Sequence, residues 1–260
     1  MKRPEILDKA DNPNLIPGIY NYCDRWCERC SFTDRCLNYE SNEERFSKQD
    51  NENFWEEIHD VFQETKDLLE YIAEQEGIDL DNLPVDHEWE EKRKKQEDHA
   101  RNHVLSKAAE KYADTVDQWF ERNAKVFEEK EAALNNNHSL GIQQKESEKQ
   151  ALQITDSLEV IRWYQLQIYV KLMRALSNDD PEGEDDEEIQ TDANGSAKVA
   201  LLGIDRSLAA WGNLQNQFDE HADDILDILV FLEKLKRKTE QTFPKARDFI
   251  RPGFDERDTR

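Results

Sequence analysis

Leu201-Leu202-Gly203-Ile204-Asp205-Arg206-Ser207-Leu208-Ala209-Ala210-Trp211-Gly212-Asn213-Leu214 places apolar side chains at 201, 204, 208, 211 and 214. That is the rhythm of a helix with one buried face; strand apolar positions would recur every second residue. The same rhythm returns in Ile225, Ile228, Leu232 and Leu235, so the spacing predicts a long helix over 196–243, ended by Pro244. The polar patch 216–221 is a candidate break. Ala200, Gly203, Ser207 and Ala210 form a small-residue stripe that lets a neighbouring helix come close. Asp205 lies in line with Leu201, Leu208 and Gly212, where a carboxylate needs a partner. Arg162, on the aromatic part of the third helix, is a candidate partner.

Working outward, three more helices of the same kind are read. The first opens with the capping-box spelling Ser41-Asn42-Glu43-Glu44, carries Ile58, Val61, Phe62, Leu68, Leu69 and Ile72, and stops at Gly77. The second is predicted over 84–134. It is polar from His87 to Asn102 and amphipathic through Leu105, Tyr112, Val116, Trp119 and Phe120, and Asn135 to Gly141 breaks it. The third, over 142–176, carries Ile154, Leu158, Ile161, Ile168 and Leu172 beside Trp163 and Tyr164. Residues 177–196 hold a dense acidic run with Pro181 and Gly183, which reads as a mobile acidic loop. The expected fold is therefore all-α: an up-and-down bundle of about four long helices over 41–243.

The remaining N-terminal part, 1–40, contains every cysteine of the chain. Cys23, Cys27, Cys30 and Cys36 follow C-x3-C-x2-C-x5-C within a stretch read as loop and turn. Four thiolates so close together repel one another without a cation between them, so the spacing points to a metal site. Arg25, Arg29 and Arg35 are interleaved and suit a supporting role, lowering thiol pKa values and donating hydrogen bonds to sulfur. Tyr20, Tyr22, Trp26, Phe32 and Tyr39 supply an apolar shell.

Two occupants fit. A [4Fe–4S] cluster often takes several ligands from one short run, and it is the leading reading. One zinc ion is the alternative, although four-cysteine zinc sites usually have two Cys-x-x-Cys knuckles and only Cys27–Cys30 forms one here. Cys23, Cys27 and Cys30 alone also look like the cluster signature of radical SAM enzymes. That family is built on a β/α barrel with glycine-rich strands, which this chain lacks, and Cys36 would fill the iron position that SAM needs open. The resemblance ends at those three residues.

A second metal site inside the bundle is also legible. Glu56 and His59 spell Glu-x-x-His, His99 and His103 share a helix face, and Glu159 and Asp205 add carboxylates on other helices. With 59 acidic residues in mostly helical sequence, ion pairs on solvated faces are the expected outcome. No phosphate-binding glycine loop or nucleophile elbow occurs, so no reaction is assigned.

The formal charge of −24 disfavours nucleic acid and anionic lipid and favours a basic protein partner. No uncharged run approaches the ~20 residues of a membrane helix. Residues 1–14 lack the apolar core of a secretory signal, so a cytoplasmic location with reduced thiols is expected. The tail, 244–260, includes Phe249-Ile250-Arg251-Pro252-Gly253-Phe254. An even number of antiparallel helices would bring it back near the cysteine segment.

Overall fold

The computed structural model describes residues 3–46, 54–83, 86–139, 144–178 and 189–255. Among them every regular element is helical, and no described helix is long and apolar enough to cross a membrane. The chain divides into two compact units, Lys92–Phe249 and Met1–Glu91 with Ile250–Arg260.

The N-terminal unit holds α1 (Glu5–Ala10), α2 (Leu37–Phe46), α3 (Phe54–Glu76) and the start of α4 (His87–Asn102). Gly77 stops α3 as expected. Its φ is +68°, and the Ile78 amide returns to the Ala73 carbonyl at 2.8 Å, closing a Schellman turn. The stripe read as core on this helix is solvent-facing: Val61, Phe62, Leu69 and Ile72 are all exposed. Ser41 does not cap a helix. The Cys36 carbonyl already accepts from Tyr39 and Glu40 at 3.1 and 3.0 Å, so α2 starts at Leu37 and Ser41 lies inside it.

In the larger unit, the single helix expected over 84–134 is three: α4, α5 (Val104–Arg122) and α6 (Ala124–Ser139). Two polar residues make the breaks. His103 is extended, and its Nδ1 accepts from the Leu105 amide at 3.3 Å, capping α5. Asn123 ends α5 by donating its side-chain amide to the Trp119 carbonyl at 2.8 Å. The helix continues through Asn135 to Ser139, where a break was expected. α7 (Gln144–Ser177) matches the third predicted helix closely. α8 (Asp192–Gln215) begins before Ser196, because the Thr191 hydroxyl accepts from the Asn194 amide at 3.1 Å and Asp192 binds Arg174 on α7 and Asn178 just beyond it. The acidic run expected to be mobile, 179–188, lies outside the described residues. The break at 216–221 is present, and α9 (Ala222–Thr242) follows it.

α5 packs against α7 and α9, and α8 packs against the same two. Gln165 donates to the Ala113 carbonyl while Arg162 lies over the Phe120 ring at 4.2 Å, so α5 and α7 run antiparallel. Lys236 reaches Asp205, and Gln215 donates to the Ala222 carbonyl, which orients α8 and α9 likewise. The helix predicted over 41–76 is not part of this ring.

At the centre, Trp211 meets Trp119 edge-on at 4.9 Å and donates Nε1 to the Tyr112 hydroxyl at 3.1 Å. Burial pushes that phenol up to about 12, against the hydrogen bond from Trp211, which lowers it. Gly203 shows why small residues line α8. A Cβ there would stand 2.9 Å from Tyr164 Cδ1 and 3.2 Å from Ile168 Cγ1 on α7.

Asp205 is paired, but not with Arg162. Its carboxylate accepts from Arg247 at 2.7 Å and Lys236 at 2.8 Å, and Arg247 also binds Glu240 at 2.9 Å. Lys198 donates to the carbonyls of Arg247 and Phe249, so the turn after α9 is clamped onto α8. Burial pushes the Asp205 carboxyl up, but the hydrogen bonds and charges of Arg247 and Lys236 outweigh it and hold it below the usual carboxylate range. A depressed folded pKa adds stability above the unfolded value of about 4, and that stability is lost as pH falls through the folded value. Because the side chain is 34% exposed, solvent screens the pair. Asp205→Asn therefore costs about 1–2 kcal/mol in urea unfolding at neutral pH, and the cost shrinks in acid below about pH 4. Equal stability of variant and wild type at pH 7 would show the network to be neutral.

Candidate metal centre

Local hydrogen bonds fold the cysteine segment into three successive 3-10 turns, Ile19–Asn21, Cys27–Arg29 and Thr33–Arg35. Gly18 opens the first at φ +72°, a left-handed conformation that glycine adopts without strain. The Asp24 carboxylate accepts from the Trp26 amide at 3.3 Å and shapes the spacer between Cys23 and Cys27. Arg25, in that spacer, is the one non-glycine residue with positive φ among the described residues, at 56°. The Ile16 amide donates to the Arg35 carbonyl at 3.0 Å and closes the segment on itself, over the buried Leu15 and Ile19.

This folding brings all four thiols, Cys23, Cys27, Cys30 and Cys36, to the wall of one cavity of about 20 Å³. Each is half-buried and none is in a disulfide. The Cys23 thiol donates to the Tyr20 carbonyl at 3.5 Å, and Cys30 Sγ accepts from the Phe32 amide at 3.4 Å. Burial pushes the Cys27 thiol up, and the nearby Cys23, Cys36, Cys30 and Glu28 add to the rise. As they stand, no group of three or more Cys, His, Asp or Glu among the described residues is arranged to hold a metal ion.

The three arginines separate. Arg25 lines the cavity. Arg29 lies over the Trp26 ring at 4.0 Å, and Arg35 donates Nε to the Asn14 carbonyl at 3.1 Å, tying down the chain ahead of the site. Tyr20, Trp26, Tyr39 and Phe254 complete the wall. Asp24 and Phe254 were not singled out in the sequence as site residues. Asp24 carried no signal beyond its place next to Cys23, and Phe254 was visible only as part of an apolar tail.

The residues considered for a second site do not converge. His59 is exposed on α3 and Glu159 on α7, Asp205 is engaged by Arg247 and Lys236, and the Glu56 side chain lies outside those described. The rings of His99 and His103 stand 5.8 Å apart, with His103 occupied in capping α5. Among the described residues, no His, Asp or Glu is fully buried.

Comparison of the chain with family models, curated proteins and solved structures finds no match to any of them.

Proposed function

We propose that this chain is a metal-binding helical protein in which Cys23, Cys27, Cys30 and Cys36 together hold a [4Fe–4S] cluster. The observation that carries the reading is the convergence of four thiols from one 14-residue run on a single cavity. The single short run suits a cluster, which takes ligands spread around a body larger than one ion. Trp26, Tyr39 and Phe254 supply the apolar shielding that such a site uses. Arg25 adds a positive charge at the cavity wall, beside a site that is net negative once its thiols are ionised.

A cluster ligated by four cysteines leaves no iron open, so its use is electron transfer or redox sensing with a protein partner. The acidic surface favours a basic one. The finer architecture belongs to the same proposal: an up-and-down helical bundle carrying a cysteine-rich metal loop, in a reducing cytoplasm.

One observation favours a second reading. A cavity of about 20 Å³ has room for roughly one water-sized occupant, which matches a single zinc ion. The protein would then be a scaffold or adaptor whose loop is fixed by zinc. Reduction of anaerobically purified protein separates the two. A brown colour that bleaches and returns on reoxidation supports the cluster; colourless protein with bound zinc supports the alternative; protein without metal sinks both.

A further inference from the structure

One residue from the far end of the chain, Phe254, forms part of the wall of the cysteine site. Ile250–Arg260 belongs to the same compact unit as the cysteine segment. Within it Phe254 lines the cavity and meets Phe32 edge-on at 5.0 Å. The turn that presents Phe254 is closed on itself. Asp255 accepts from the Arg251 amide at 3.0 Å and from its guanidinium at 2.9 and 3.1 Å, and that guanidinium lies over the Phe254 ring at 4.8 Å. Both partners are largely buried, at 14% and 22% exposed, so the pair is a tight one.

Gly253 is what lets the turn come so close. Its φ is +75°, and a Cβ there would stand 2.8 Å from Ile16 Cδ1 and 3.0 Å from Ile19 Cδ1. Ile16 and Ile19 sit at the opening of the cysteine segment, and Ile19 also lines the cavity. The turn is therefore seated against the base of the site, and its aromatic ring is part of the wall.

We propose that the turn Arg251–Asp255 is an access gate of the thiol cavity, with Phe254 controlling how readily water, oxidants and chelators reach the cysteines. The proposal rests on the metal reading only for what the gate protects; shielding of the thiols stands without it. Short segments near a chain end, held by few contacts, are where local opening independent of global unfolding occurs, and this turn is held by one edge-on ring pair, one stacked guanidinium and one ion pair.

The test is the rate at which the full-length, metal-free chain reacts with iodoacetamide, read for each cysteine by mass spectrometry, beside the rate at which loaded protein yields metal to a chelator. Phe254→Ala is expected to raise the alkylation rate about tenfold by favouring the open state. Arg251→Gln leaves the ring but unties the turn, and raises it by a smaller factor, about threefold. Metal release is expected to quicken in the same order. If Phe254→Ala loses its helical circular dichroism, Arg251→Gln decides alone. Rates within about twofold of wild type in the folded variants overturn the gate. So does a wild-type rate equal to that of an unstructured cysteine peptide. Wild-type protein that takes up no metal would defeat the metal reading, while the alkylation rates would still decide the gate.

Discussion

With the proposed four-cysteine site, Cys27→Ala is expected to abolish metal binding and loosen the N-terminal segment, while most of the helical signal remains. Cys27 lies in the middle of the run, and its thiol is raised by burial first, then by the nearby Cys23, Cys36, Cys30 and Glu28. Removing it takes away one of the four proposed ligands at the shared cavity. Structural metal sites lose most of their affinity with a ligand, because the binding free energy also orders the loop. The helices resist for a separate reason: α5, α7, α8 and α9 bury their core against one another within residues 92–249. Elemental analysis, far-ultraviolet circular dichroism and limited proteolysis across residues 16–39 measure the three parts. Global unfolding of Cys27→Ala would mean that the loop is a keystone of the whole chain.

Trp211→Ala destabilises the larger unit by about 3–5 kcal/mol, the range for a fully buried tryptophan. Three losses coincide at this residue. The ring has no exposed surface, so its removal leaves a large cavity. The edge-on contact with Trp119 at 4.9 Å disappears. The Tyr112 hydroxyl loses the Nε1 donor at 3.1 Å in a fully buried site. Trp211→Phe keeps part of the volume and separates the packing loss from the hydrogen bond. Urea unfolding followed by helical signal gives the cost, and a value under about 1 kcal/mol would mean that the ring packs more loosely than it appears.

The all-helical class was legible in the spacing of Leu201, Ile204, Leu208, Trp211 and Leu214, because a buried helical face must repeat every three to four residues. The break at 216–221 was legible too, as a polar patch in an apolar rhythm. The breaks at His103 and Asn123 were not. Both residues are ordinary in a helix interior, and only the side-chain hydrogen bonds to Leu105 and Trp119 turn them into ends. Ser41 shows the reverse case: the spelling of a capping box is present, but the Cys36 carbonyl starts the helix first. The partner of Asp205 was unreadable because Arg247 lies 42 residues away and reaches it only after a turn beyond α9.

For the candidate site, the cysteines declared themselves by proximity in the chain. Their common wall depends on finer things: the left-handed Arg25, the Asp24 turn and the closure of Ile16 on Arg35. Phe254 joins the wall through long-range folding, for which a sequence carries no local signal.

Iron, zinc and acid-labile sulfide per chain, measured on wild-type protein purified without air, test the shared-metal claim most directly. The account predicts brown protein with about four irons and four sulfides per chain. Colourless protein with about one zinc would keep the shared site and replace the cluster by a structural ion. Protein free of all three, with its four cysteines titrating as ordinary thiols, would contradict the account.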